Sequence, residues 1–248
     1  MDEKYLKGSP VAVREGVYYF TQPPSEFSPR GSTSDQSSWS AWRKANFAFY
    51  KESLEHYFPT PKGKVLVDIG AGPTQFDALF SMFTYIGVDF LPYKKVSVVT
   101  DLTKSLPITD GCADVIILSN VLEHIPYPLE LLKECSRILK KGGVCIGTTP
   151  FLLQVHQSPY DFNRYTNYQL EHLLADCGFS TRDIQPLGKL IDVYDSMEIK
   201  FFVHVPRSPL RKIVRLFRRI DMLLVRALYG RLPASHKFTE GYGFVAVK

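Results

Sequence analysis

The stretch Lys64 to Phe76, KVLVDIGAGPTQF, decides how this chain is read. Val65 to Val67 open it as an apolar run of the length that a buried strand takes. Asp68 follows, and Gly70-Ala71-Gly72 makes a turn in which backbone must pass close to something. Beyond Pro73, Phe76, Leu79, Phe80 and Phe83 fall on one side of a helix. Strand, glycine turn and helix form the entry to a nucleotide-type site in a doubly wound sheet.

Two ligand classes compete for such a turn. A pyrophosphate wants G-x-G-x-x-G, so that it can sit on the helix N-terminus. The third glycine would fall at Gln75, and the Asp68 carboxylate beside the first glycine would repel a pyrophosphate. The same carboxylate suits a ligand bearing an ammonium and a sulfonium group, and that ligand is S-adenosylmethionine.

From about Val65 to Phe179 the chain resembles the class I S-adenosylmethionine-dependent methyltransferases. Tyr85-Ile-Gly-Val-Asp89 is similar to the second strand with its ribose-binding acid, 21 residues after Asp68, and Phe90 follows it. Asp101-Leu102 resembles the pair at the adenine. Asp114 to His124, DVIILSNVLEH, resembles the fourth strand and the segment under the methionine end, with Ser119 and Asn120 in it. Leu132 to Val144, LKECSRILKKGGV, resembles the helix and Gly-Gly turn before the fifth strand. The departures are Pro73 and Thr74, where many members have another glycine nearby. The resemblance implies an α/β fold, a doubly wound, seven-stranded, mostly parallel Rossmann-like sheet with an antiparallel last strand and a helical insertion before it. It also implies S-adenosylmethionine as cofactor, held by Asp68, Gly70, Ala71, Gly72, Asp89, Phe90, Asp101, Leu102, Ser119 and Asn120.

Length and composition agree with one such domain. The 248 residues are 45% apolar, enough for a sizeable core. No window reaches the roughly 18 apolar residues of a membrane span, and Met1 to Val11 carries no signal-peptide apolar region. Cys112, Cys135, Cys145 and Cys177 show no C-x-x-C spacing and read as reduced, buried thiols of a cytoplasmic protein. No metal site is expected. The net charge of +5 is uneven: Met197 to Lys248 carries 11 Lys/Arg against three Asp/Glu, net +8, and the rest is net −3.

Four segments follow. Residues 1–60 hold the Ser/Gly-rich loop Gly31 to Ser40 and then a helix up to Tyr57, which Pro59 and Pro61 end. Its aromatics Trp42, Phe47, Phe49, Tyr50 and Tyr57 recur at helical spacing, either as core or as substrate contacts. Residues 61–186 are the cofactor core. There the second crossover is trimmed to a turn at Pro92, and Pro128 opens a helix closed by Lys140-Lys141-Gly142. Thr166 to Gln169 is a capping box. Residues 187–241 are an insertion read as a lid or substrate-binding element, and residues 242–248 are the final core strand.

Methyl transfer is an in-line displacement at a carbon already activated by the sulfonium, so alignment does much of the work. A hydroxyl acceptor must also lose a proton, and a positioned base helps. His124, after the fourth strand, is one candidate; the other reading is a helix-end histidine holding backbone. His156 to Thr166, HQSPYDFNRYT, resembles an H-x-x-P-x-D-x-x-R-[YF]-T motif of methyltransferases from cell-surface polysaccharide pathways. His156 with Asp161 would then be a base and its orienting carboxylate, and Arg164 would hold a substrate oxygen or phosphate. The plain alternative is that Asp161 and Arg164 pair with each other.

Pro209 to Tyr229 spaces Ile213, Phe217, Ile220, Leu224 and Leu228 along one helical stripe with arginines elsewhere, a basic amphipathic helix. It reads as a solvated face on a packed helix or as a peripheral contact with an anionic membrane at the inner face. No nucleic-acid module is recognisable. The activity expected is O-methylation of a sugar hydroxyl in a glycan or a lipid- or nucleotide-linked sugar. The rivals are another small acceptor, such as a quinol or polyketide, and a non-catalytic methyltransferase-like binding protein.

Overall fold

The computed structural model describes residues 1–23, 39–73, 76–203 and 209–248; the side chains at 181, 199–203, 209–212 and 215 lie outside that description. The loop reading at residues 31–38, and Thr74 and Gln75 of the glycine turn, fall outside the described residues.

β3 (Val65–Ile69) is buried along its whole length and sits in the middle of the sheet, parallel to β4 (Thr84–Asp89) on one side and to β6 (Ala113–Ser119) on the other. A strand covered on both faces is apolar along most of its length, here all but Asp68, and its alternation shows in which layer each side chain enters. Val65, Val67 and Ile69 enter one core layer with Ile116 and Leu118, while Leu66 enters the other with Val115 and Ile117. α1 (Ala41–Tyr57) covers the second layer through Phe49, Tyr50 and Leu54. α3 (Pro128–Ile138) and α4 (Asn167–Asp176) cover the first through Leu131, Leu132, Cys135, Leu170 and Leu174. Each fully buried leucine of this kind contributes about 1.5–3 kcal/mol over its exposed state.

Among the described residues the sheet has nine strands, not the seven expected, in the order β1-β2-β5-β4-β3-β6-β7-β9-β8. The seven from β5 (Val96–Val99) to β8 (Thr181–Leu187) form the anticipated core, with β7 (Leu139–Pro150) parallel to β6 and β9 (Gly241–Val247) antiparallel between β7 and β8. The addition is an N-terminal hairpin, β1 (Ala12–Arg14) and β2 (Val17–Tyr19), which adds β2 parallel to the edge strand β5. Its two-residue turn, Glu15-Gly16, has φ of 50° and 78°, the left-handed pair that a tight hairpin requires.

Two helix boundaries differ from the sequence reading. The helix after the glycine turn is a single turn, α2 (Asp77–Phe80), because Thr84 already hydrogen-bonds to the carbonyl of Lys64 and Phe83 must turn the chain back into β4. α3 ends at Ile138 rather than at Lys141: Leu139 is extended, fully buried and in register with Ala113. Lys140 then reaches the Asp114 carboxylate at 2.6 Å, and Gly142, at φ 77°, donates its N–H to the carbonyl of Lys248 rather than capping a helix.

The insertion consists of α5 (Leu190–Val203) and α6 (Pro209–Tyr229). Arg218 of α6 ties the two together through Asp195 and Glu198, each at 3.0 Å. No described helix is long and apolar enough to cross a membrane.

Candidate active site

The strand order reverses at β3, and a crevice at such a switch point, beyond the C-terminal ends of the strands, is where doubly wound sheets take ligands. A cavity of about 900 Å³ opens there, the size that a nucleotide-sized ligand and a second reactant need. All ten side chains and backbone positions expected at the cofactor line it, as do His124 and His156. Asp161 and Arg164 do not, and no described residue of α5 or α6 does.

The turn after β3 is strapped to β4: the N–H groups of Gly70 and Ala71 both reach the carbonyl of Val88, at 2.8 and 3.1 Å. Gly70 has φ 73°, and a Cβ there would lie 2.5 Å from Cγ2 of Val121. Gly72, at φ 53°, would place a Cβ in open space, with only the Gly70 carbonyl within 4 Å, at 3.9 Å. The turn is thus closed against the protein at its first glycine and open toward the cavity at its second.

Asp89, at the end of β4, accepts the N–H of Gly72 at 2.8 Å and that of Leu91 at 2.9 Å. These donors hold the carboxylate at the cavity wall, although burial outweighs them and raises its pKa. Asp68 is buried beneath the turn, and its carboxylate accepts the Tyr85 hydroxyl at 2.8 Å. Burial pushes its pKa up to about 7. Asp101 accepts from the backbone and hydroxyl of Thr103. A glycine turn with two carboxylates beside it has the polarity for a ligand with hydroxyls at one end and positive charge at the other, and S-adenosylmethionine fits that description.

The opposite wall is built by the 3₁₀ turn Leu122–His124 after β6 and by the loop after β7. The N–H groups of Phe162 and Asn163 bind the carbonyl of Glu123, which folds the loop back over the turn. His124 and His156, distant in sequence, stand edge to face with ring centroids 5.0 Å apart. His124 Nδ1 lies 2.5 Å from the carbonyl oxygen of Tyr160. A carbonyl only accepts, so Nδ1 carries the proton and Nε2 keeps its lone pair. His156 Nδ1 faces the Asp161 carboxylate at 3.3 Å and the Gln154 carbonyl at 3.4 Å, with the same consequence. Burial lowers the His124 pKa, which favours the neutral ring.

Asp161 is held by Arg164 through contacts of 2.5 and 2.8 Å and by the His156 N–H at 2.7 Å; the guanidinium holds its pKa well below the usual range. Arg164 spends its remaining donors on the carbonyls of Leu153, Gln154 and Asn163. The pairing alternative accounts for its placement, and its head braces the loop.

Glu123 carries more weight than its neighbour in sequence suggested. Its side chain is 0% exposed, neither carboxylate oxygen has a hydrogen-bond partner among the described residues, and burial pushes its pKa up to about 8. A charged residue directly after a run of buried apolar ones was the available signal. Trp42 of α1 and Phe76 also line the cavity, so α1 packs on the core and reaches the cavity wall.

This combination of fold, glycine turn and paired carboxylates defines an S-adenosylmethionine-dependent methyltransferase domain. A family model described as a methyltransferase domain matches residues 42–189, and the chain belongs to that family. An uncharacterized methyltransferase of Mycobacterium sp. (strain KMS) is 35% identical over 98 residues, 35% of this chain and 39% of that protein. The chain thus spans about two-fifths of the length of the curated relatives it matches. Among solved structures, a SAM-dependent methyltransferase from Archaeoglobus fulgidus is 20% identical with a TM-score of 0.50, over 82% of this chain and 94% of the other. Phosphoethanolamine N-methyltransferase 2 of Haemonchus contortus, in complex with S-adenosyl-L-methionine, is 17% identical with a TM-score of 0.51, over 84% and 52%. At these identities the likeness is one of fold. With the family, it makes S-adenosylmethionine the cofactor of this domain.

Proposed function

We propose that this protein is an S-adenosylmethionine-dependent O-methyltransferase whose acceptor is a sugar hydroxyl in a glycan or a lipid- or nucleotide-linked sugar. The observation that carries the reading is the acceptor wall: the His124 and His156 imidazoles both line the cavity, and Nε2 of each lies near Oε1 of the buried Glu123. Such a wall suits an acceptor that must lose a proton as it is methylated, as a hydroxyl must. The cofactor supplies a methyl group on a sulfonium; the chain aligns the acceptor oxygen with it and receives the hydroxyl proton at His124 or His156 Nε2. The sugar assignment rests on the resemblance of residues 156–166 to the polysaccharide-pathway motif.

The exposed stripe of α6 supports a peripheral setting. Phe217, Leu224 and Leu228 are 68%, 59% and 71% exposed, on a helix rich in arginine. Laid on an anionic membrane, such a helix would bring the site to a lipid-linked acceptor. The decisive experiment follows S-adenosylhomocysteine release against three acceptor sets: lipid-diphosphate sugars, nucleotide sugars, and quinols or polyketide phenols. Turnover with a sugar set supports the reading. Turnover confined to the third replaces the acceptor class, and none with any set favours a binding protein.

A further inference from the structure

We infer that Glu123, His124 and His156 form a binding site for one divalent first-row transition-metal ion, with zinc as the reference ion, in the acceptor wall of the cavity. Glu123 Oε1 lies 3.7 Å from His124 Nε2 and 3.8 Å from His156 Nε2, and the three donor atoms all fall within 4.8 Å of one another. Glu123 Oε1 and the two Nε2 atoms thus cluster at one spot, and among the described residues neither oxygen of the fully buried Glu123 carboxyl nor Nε2 of His124 has a hydrogen-bond partner. A buried carboxylate without a donor is an expensive arrangement unless a cation completes it.

A proton on Glu123 would remove the charge but not the mismatch. Its O–H would face nitrogens beyond hydrogen-bond reach and leave the His124 Nε2 without a partner as before. Arg164, a nearby cation, is spent on Asp161. The imidazoles are already set up as ligands. Each turns Nδ1 to an oxygen acceptor, the Tyr160 carbonyl for His124 and the Asp161 carboxylate for His156, which fixes the tautomer and aims Nε2 inward. That outer arrangement is what metal-bound histidines show.

Two nitrogens and one carboxylate oxygen suit zinc or a neighbouring transition ion, whereas magnesium and calcium prefer oxygen throughout. Tetrahedral bonds of about 2.0–2.2 Å separate donors by about 3.3–3.5 Å, so the two glutamate–histidine distances would close by a few tenths of an ångström around the ion. With three protein ligands the fourth position is left for water or an acceptor oxygen, and both histidines line the cavity, so that position faces it. With the ion bound, both Nε2 atoms would be ligands, the ion would make an acceptor hydroxyl more acidic and its proton would pass to solvent; the proton-accepting role of these nitrogens belongs to the ion-free site. No metal is expected from the sequence, in which 32 positions separate the two histidines and no ligand spacing marks them.

The inference stands on these three side chains and not on the acceptor class. The test is calorimetric titration of the full, chelator-treated chain with zinc chloride, without cofactor or acceptor, with S-adenosylmethionine binding measured on the same preparation. One saturable equivalent is expected. His156→Ala should weaken it more than tenfold, and Asp161→Asn, one step removed from the ion, by about 10–100-fold. His156 is partly exposed, so its variant tests the site without disturbing the core as a change at Glu123 could. Anomalous diffraction at the zinc edge from wild-type crystals should place the ion between the three side chains. Absence of saturable binding, unchanged affinity in His156→Ala, or an anomalous peak elsewhere would overturn the site. Retained S-adenosylmethionine binding in that case would leave the methyltransferase reading intact.

Discussion

The backbone N–H of Gly72 donates to the Asp89 carboxylate at 2.8 Å, tying the glycine turn after β3 to the end of β4. One side chain therefore holds the turn in shape and lines the cavity. Asp89→Ala should weaken S-adenosylmethionine binding by about 1.5–3 kcal/mol, the worth of charge-assisted hydrogen bonds. Asp89→Asn, which keeps an acceptor for Gly72, should lose less. Calorimetry measures both. Tight NAD binding with none of S-adenosylmethionine would reverse the ligand assignment.

Gly70 and Gly72 should not tolerate substitution equally. Both have left-handed φ, but only at Gly70 does a Cβ meet a buried neighbour, Val121, at 2.5 Å. Gly70→Ala should cost the strain of a non-glycine left-handed residue, about 1–3 kcal/mol, and the clash besides. Gly72→Ala should lower stability by less, while its methyl group intrudes on the cofactor. Thermal unfolding and cofactor titration separate the two effects, and the Val121→Ala background should restore part of the Gly70→Ala loss.

Asp68 sets a pH dependence whose sign differs for stability and for binding. Its folded pKa of about 7 lies above the unfolded value near 3.9. Between them the folded chain holds a proton that the unfolded chain has lost, so this group's stabilisation is full at low pH and fades as pH rises toward about 7. Binding of a cationic ligand needs the carboxylate and should strengthen over the same range. Asp68→Asn should flatten both trends; chemical denaturation and calorimetry at about pH 5 and about pH 8 read them. Identical slopes in the variant would remove Asp68 from this role.

His124→Ala and His156→Ala should each slow methyl transfer roughly 10²–10⁴-fold, with S-adenosylmethionine affinity kept. The imidazoles line the cavity on the wall built by the turn after β6 and the loop after β7. Full rate in both variants would leave catalysis to alignment alone.

Vesicle sedimentation tests the basic helix. Arg218 should be left alone, because it bridges α6 to Asp195 and Glu198 and its loss would disturb the insertion itself. Arg219→Glu with Arg226→Glu should release the protein from anionic vesicles, each removed charge worth about 1 kcal/mol at the surface, and added salt should do the same. Absence of binding at low salt would return the exposed stripe to an unexplained surface.

The sequence by itself determined what short-range signals can determine. The apolar run, the glycines and the acids at Asp68 and Asp89 specified the central strands and the cofactor, because strand, turn and charge lie within one local unit. Thr166 likewise caps α4 as its spacing required, its hydroxyl accepting the Gln169 N–H at 3.2 Å. The first hairpin, VAVREGVYY, leaves only a faint trace in the sequence, since three-residue strands give little periodicity. Only the tertiary structure decided where α3 stops, because Leu139 gains more as a buried partner of Ala113 than as one further helical residue. Only it brought His156 beside Glu123 and His124, through backbone bonds that fold the loop after β7 onto the turn after β6. Only it committed Arg164 to Asp161 and left the α6 stripe bare. Each of these depends on which surfaces meet across the fold, and a sequence records the residues that meet but not the meeting.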